Sequence, residues 1–227
     1  MCSRYSLTSP AEAVRAYFKV SGTETFPPRY NIAPTQAAHI VRIAPNGERE
    51  LVLVRWGLIP SWVKDPNIFT TLINARSDTI AEKPSFRSAL KYRRCLVPAD
   101  GFYEWTGVSP HKRPHLIRPI AGGPIAFAGL WEHWMSADGS EMESMAIVTT
   151  DANRTVAAIH DRMPVILPPE LFEPWLDVRG VTAAEAATML KSAPDDLLEL
   201  FEVDKALANS RNDGPELQRR AEQGRLI

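Results

Sequence analysis

Two cysteines in 227 residues, Cys2 and Cys95, are too few for a disulfide framework, and free thiols of this kind suit a reducing compartment. No run of about 18 apolar residues is present to span a membrane, so no membrane partner is expected. Arg4, Glu12 and Arg15 interrupt any apolar core that a secretory signal would need, which makes the cytoplasm the expected location. Neither sign of charge prevails. With 26 Lys and Arg against 27 Asp and Glu the net charge is −1, so the surface as a whole is not a polyanion binder and any nucleic-acid site must be a local basic patch. Glycine-rich phosphate loops, a GxSxG elbow, a dinucleotide fingerprint, repeats, heptads and low-complexity tracts are all missing. Metal ligands are scarce as well. His111 and His115 are four apart, but Pro114 between them argues against a helix and no cysteine pair is near, so neither metal nor cofactor is expected.

Proline is in excess: 19 residues, against an average near 5%, favour many turns and irregular connections. An apolar content of 44% and a charged content of 23% are those of an ordinary globular chain, and the length suits one core, hence a single domain over 1–227 and a monomer. Ser9-Pro10-Ala11-Glu12 reads as a helix start, with Ser9 as N-cap and Glu12 completing a capping box, and Ser21-Gly22 as its end. Strands are expected over 38–44 and 50–56 around an Asn46-Gly47 turn, and a shorter one over 70–76. A helix over 85–94 precedes two apolar runs in 95–105 around Asp100-Gly101. Further strands follow at 115–120, 124–131, 144–150 and 165–167, with a short helix over 153–161 and a second capping box at Thr182 and Glu185 opening a helix to about 191. The pattern implies an α+β fold with a largely antiparallel sheet curled toward a β-barrel and short helices packed around it.

The chemistry concentrates at the N-terminus. Once Met1 is removed, Cys2 presents an α-amine (unperturbed pKa near ~7.7–8.0) and a thiol (near ~8.5) on adjacent carbons. Such a 1,2-aminothiol condenses with an aldehyde through a Schiff base to a thiazolidine; the alternative is a small apolar residue tucked into a first strand. Asn74 is a polar amide in an apolar strand and needs partners if buried, whether substrate or neighbouring backbone. Glu104 shares a strand face with Phe102, an aromatic setting suited to passing protons near neutrality, or it is a salt-bridged edge residue. His160 sits at the end of a short helix and serves either proton transfer or structure. Cys2, Asn74 and His160 are each followed two residues later by an arginine: Arg4, Arg76 and Arg162. A reactive group with an arginine beside it, three times over, suits a substrate flanked by phosphates, although an arginine-rich chain also produces such pairs by chance.

Taken together, the Met-Cys-x-Arg-Tyr start, RYNIAPTQ, RWGLIPSWVKD, LINARSDT, RRCLVPADGFYEW, AGLWE, IHDRMPVIL and NSRNDGPEL closely resemble the SOS response-associated peptidase family of abasic-site processing proteins. The likeness runs nearly end to end. It departs at Ser3, where the family carries glycine and where a side chain crowds the backbone beside Cys2. The resemblance implies a DNA damage sensor that links Cys2 covalently to the ring-opened sugar of an abasic site in single-stranded DNA, nucleoid-associated when bound, with a weak lyase activity through the imine. It implies Cys2 as nucleophile, Asn74 holding the sugar, Glu104 and His160 moving protons, Arg4, Arg76 and Arg162 on flanking phosphates, and Trp62 and Pro34 wedging or stacking against bases. The rival reading is a thiol autopeptidase in which Cys2, with His160 and Glu104, removes the residue before it.

Overall fold

A computed structural model describes residues 2–221. In chain order its elements are β1 (Tyr5–Leu7), α1 (Ala11–Phe18), β2 (Arg29–Ile32), β3 (Ala37–Ile43), β4 (Arg49–Trp56), β5 (Asn74–Arg76), α2 (Pro84–Tyr92), β6 (Arg94–Ala99) and β7 (Gly101–Thr106). They continue with β8 (Arg113–Pro119), β9 (Ile125–Met135), β10 (Glu141–Asp151), α3 (Arg154–Ala157), β11 (Arg162–Pro164), β12 (Ile166–Leu167), α4 (Phe172–Leu176), α5 (Ala183–Ala187) and β13 (Leu198–Glu202). The fold is α+β. Strands β10, β4, β3, β6 and β9 pair in turn, and the β9–β10 ladder closes them into a five-stranded barrel, antiparallel except where β4 meets β10. Closure brings strand faces together on the inside. At Gly129 of β9 a side chain would come within 2.8 Å of Cys95 Sγ and Val97 Cγ2, so glycine is required there.

A second, wholly antiparallel sheet runs β13-β8-β7-β1-β2. Its inner face meets the barrel through edge-on aromatic rings: Tyr5 lies 5.2 Å from Trp56 and 6.0 Å from Phe127, and Phe102 lies 6.0 Å from Phe127. These rings, buried on folding, each contribute hydrophobic area plus the preference of quadrupoles for edge-to-face contact. The two apolar runs around Asp100-Gly101 do not pair with each other. Asp100 is the corner at which the chain leaves the barrel for the second sheet, and its carboxylate accepts from the Ser9 amide (2.7 Å), the Ser9 hydroxyl (2.5 Å) and the Thr8 amide. That contact overturns the expected capping box of α1: with Ser9 held by Asp100, the helix starts after Pro10 with no side-chain cap. It ends at Lys19 in the left-handed region (φ 54°), two residues before the expected Ser21-Gly22. At α5 the expectation holds, because Thr182 Oγ1 accepts from the Glu185 amide (3.2 Å) and Glu185 returns to the Thr182 amide (2.9 Å). The helix itself ends at Ala187, short of 191.

The strand expected over 70–76 is ordered as a ladder only at β5, which adds to β10 in parallel register. Among the described residues no helix is long and apolar enough to cross a membrane.

Arg94, at the end of the helix expected over 85–94, opens β6 instead and lies in the core. Its guanidinium donates to the carbonyls of Leu90 (2.9 Å), Trp175 (2.5 Å), Asp177 (2.7 Å) and Val181 (3.0 Å), closing the carbonyl ends of α2 and α4. Arg94→Met would leave these acceptors buried without donors and should lower the unfolding free energy by about 3 kcal/mol. Thr182→Ala, which removes only an exposed cap, should cost about 1 kcal/mol. Urea denaturation followed by circular dichroism checks the order of the two.

Candidate active site

β1 is an inner strand, bonded to β7 on one side and β2 on the other, so the chain start is clamped rather than frayed. Three residues before it, Cys2 is fully buried; its thiol points back to the Arg4 carbonyl, 3.7 Å away. Met1, whose removal would free the α-amine, lies outside the described residues.

Asn74, at the start of β5, donates its amide Nδ2 to the Cys2 carbonyl at 2.8 Å. Its Oδ1 is buried without a hydrogen-bond partner among the described residues, which leaves an acceptor for a ligand hydroxyl. Glu104 is buried on β7, opposite His115 of β8, and its charge acts on the Cys2 thiol. His160 follows α3, which proves to be a single turn capped by Asn153. At His160 Nδ1 the Arg162 amide donates at 2.9 Å, while Asp161 Oδ1 stands 3.0 Å from the same nitrogen. Glu104 and His160 line one cavity of about 440 Å³ together with Ser3, Arg4, Trp105, Lys112 and Ala208. Three segments far apart in sequence thus converge on the chain start. Ser3, the departure from the family pattern, faces this cavity.

The three arginines differ in what they do. Arg4 donates to Asn31 Oδ1 (2.8 Å) and to the carbonyls of Leu207 (2.9 Å) and Ala208 (3.2 Å), with Trp105 5.9 Å beneath it. Arg162 is buried, bonded to Asp151 (2.7 Å) and the Thr149 carbonyl (2.8 Å), with Asp78 3.6 Å away. Arg76 is exposed and paired with the equally exposed Asp78 at 2.9 Å. Arg76 is thus the one of the three that solvent reaches freely; Arg4 and Arg162 are committed to protein acceptors. Trp62 is 58% exposed, backed edge-on by Phe69 at 5.7 Å. Pro34 is half-buried in a turn whose next residue, Thr35, holds a left-handed φ of 71° and donates to the Trp56 carbonyl at 2.8 Å.

Sequence reasoning missed a latch beside the site. Asn31, fully buried, donates to the carbonyls of Leu207, Asn209 and Asn212 (2.9–3.2 Å), and Asp213 accepts from Arg29 (2.5 Å) and from the Tyr30 and Asn31 amides. The RYN and NSRND motifs were visible as motifs; that each exists to grip the other was not. His115 was considered only as a metal ligand. It proves to be the cross-strand neighbour of Glu104, buried, held low by that burial, and bonded through Nδ1 to the Arg113 carbonyl at 3.1 Å. Among the described residues no group of three or more potential metal ligands occurs.

Residues 1–210 match the family model described as SOS response associated peptidase (SRAP). The abasic site processing protein YoqW of Bacillus subtilis (strain 168) is 37% identical over 222 residues, which cover 96% of this chain and 98% of that protein. The abasic site processing protein HMCES of Xenopus tropicalis is 33% identical over 224 residues, 86% of this chain and 66% of its own length. A crystal structure of a protein from Bacteroides thetaiotaomicron superposes with a TM-score of 0.87 at 30% identity, covering 97% of this chain and all of that one.

Burial, and secondarily the Glu104 carboxylate, pushes the Cys2 thiol well above its ordinary value. Iodoacetamide should therefore label Cys2 in the folded protein far more slowly than free cysteine at pH 8. Glu104→Gln, by removing the negative charge, should raise the thiolate fraction and speed labelling; an unchanged rate would assign the whole effect to burial. The same shifts predict alkaline lability. Burial also raises Cys95 and Tyr5, and pushes Tyr103 up to about 12, so the folded state holds these protons more tightly than the unfolded chain. Stability is then full below the unfolded values and must fall as pH rises past about 9, which thermal melts across pH 7–11 will show.

Proposed function

The chain belongs to the SOS response associated peptidase family, and on that premise we propose that it senses abasic sites in single-stranded DNA and links itself to them through Cys2. The observation that carries the reading is the convergence of Asn74, Glu104 and His160 on a clamped chain start. The ring-opened deoxyribose offers an aldehyde. The freed Cys2 amine adds to it, and loss of water leaves an iminium ion. The thiol sulfur then attacks the iminium carbon and gives up its proton, closing a thiazolidine. A thiol kept protonated by burial fits this order, since the amine acts first and the sulfur acts on a strongly electrophilic carbon.

Glu104 supplies a proton as water departs and takes one at ring closure; His160, on the same cavity, assists imine formation and reversal. Asn74 holds Cys2 through its Nδ2 and offers Oδ1 to a sugar hydroxyl. Holding the reactants in place in this way contributes several kcal/mol, about 7–11 at the extreme. The imine also permits β-elimination, hence a weak lyase activity.

Arg76, exposed next to the site, is the first contact for a flanking phosphate, with Arg4 and Arg162 adding positive potential from behind their protein partners. Trp62, standing free of the surface, stacks on an unpaired base, and Pro34 wedges beside it. The protein acts in the cytoplasm, on the nucleoid when bound, as a monomer.

Incubation of the protein, with Met1 removed, with single-stranded DNA bearing an abasic site should give an adduct that survives denaturation. Cys2→Ala and a chemically blocked N-terminus should each abolish the thiazolidine. An adduct that persists in both sinks the mechanism. Retained Met1 in a Glu104 or His160 variant, but not in the wild type, would instead favour the autopeptidase. For binding, Trp62→Ala should weaken affinity by roughly 1–3 kcal/mol. Arg76→Ala should lower the slope of log affinity against log salt by about one, as read by fluorescence anisotropy across a salt series.

A further inference from the structure

The cavity that Glu104 and His160 share extends beyond them to Trp105, Lys112 and Ala208. Its volume of about 440 Å³ falls in the range of sites that enclose small molecules, roughly 300–1,000 Å³. Ser3 and Arg4 line this cavity, so it lies next to Cys2, and the aminothiol chemistry proposed above is not restricted to the aldehydes of DNA. Charge narrows their class. The guanidinium of Arg4 is committed to Asn31, Leu207 and Ala208. Lys112 is exposed on the same wall, and among the described residues no carboxylate pairs with it. An ammonium free of counter-ions, on a cavity that also holds a proton-transfer pair, matches a compact dianion at the far end of a short aldehyde.

We propose that this cavity also captures free short-chain aldehydes carrying a terminal phosphate monoester, with the Lys112 ammonium holding the phosphate while the Cys2 aminothiol takes the carbonyl carbon. The inference rests on the aminothiol chemistry proposed above. The step balances without any further reagent. New C–N and C–S bonds form at the former carbonyl carbon, and its oxygen leaves as water with one proton from the amine and one from the thiol. Nothing is oxidised or reduced, and the phosphate is untouched.

The test incubates the protein, its N-terminal cysteine exposed, with glyceraldehyde 3-phosphate or with glyceraldehyde and follows intact mass, with abasic single-stranded DNA as a parallel arm. The expected product is the protein plus aldehyde minus water. A charge-assisted contact should make the phosphorylated aldehyde react roughly tenfold faster. Lys112→Ala should bring the two rates together, and Lys112→Arg should keep them apart. Equal rates in the wild type, a preference that survives Lys112→Ala, or an adduct mapped to the Lys112 side chain would each overturn the inference while DNA still crosslinks. If neither DNA nor aldehyde becomes attached, the aminothiol reading itself fails and this inference with it.

Discussion

The constraint on which the rest depends is that a chain terminus must be held inside the protein. Ends ordinarily fray because they have neighbours on one side only. Here β1 is inserted between β7 and β2, and Tyr5 is seated against Trp56 and Phe127 where the second sheet meets the barrel. Pulling the terminus out would therefore cost an inner strand's ladder and an aromatic cluster together. Cys2, three residues before that strand, inherits the order. This is why Asn74 reaches the Cys2 carbonyl by a single hydrogen bond and why a thiol at the very start of the chain is fully buried.

Holding the end has required polar groups to be buried elsewhere, and arginine does most of that work. Arg94 gathers three carbonyls at the ends of α2 and α4 and a fourth at Val181, Arg4 ties the N-terminal segment to residues 207–208, and Arg162 joins β10 to β11 and to Asp78. The planar guanidinium, with five donors and a charge that burial does not remove, suits this role better than lysine. Two of the three arginines that follow Cys2, Asn74 and His160 in the sequence are thus occupied by the protein itself. Exposed positive charge near the site therefore falls to Arg76 and Lys112.

The site also shows why its members come from such distant stretches. β5 supplies Asn74 by parallel addition to β10, β7 supplies Glu104 after the turn at Asp100, and the chain after α3 supplies His160. Asn74 reaches the chain start through the Cys2 carbonyl, and Glu104 and His160 line one cavity beside it. Ala208 of that cavity belongs to the segment 207–213, which Asn31 and Asp213 tie down, so the outline of the cavity depends on residues that do not line it.

By itself the sequence determined whatever depends on near neighbours. The Asn46-Gly47 hairpin, the capping box at Thr182, the positions of strands β3, β4, β8, β9 and β10 and the barrel-forming α+β character were legible, since turn chemistry, caps and side-chain alternation act over a few residues. The family motifs named Cys2, Asn74, Glu104 and His160. Only the tertiary structure decided what each group meets across the chain. Ser9 has an ideal capping context, yet Asp100, more than ninety positions away, takes its hydroxyl; Arg94 ends a basic run, yet lies in the core; Arg162 sits two residues from His160, yet turns to Asp151 and Thr149. β2 and β13 carry weak local signals and exist because β1 and β8 present unpaired edges to them. A local motif states what a residue is able to bond. Long-range packing selects the partner, because a buried donor or acceptor left alone costs more than any local preference it gives up.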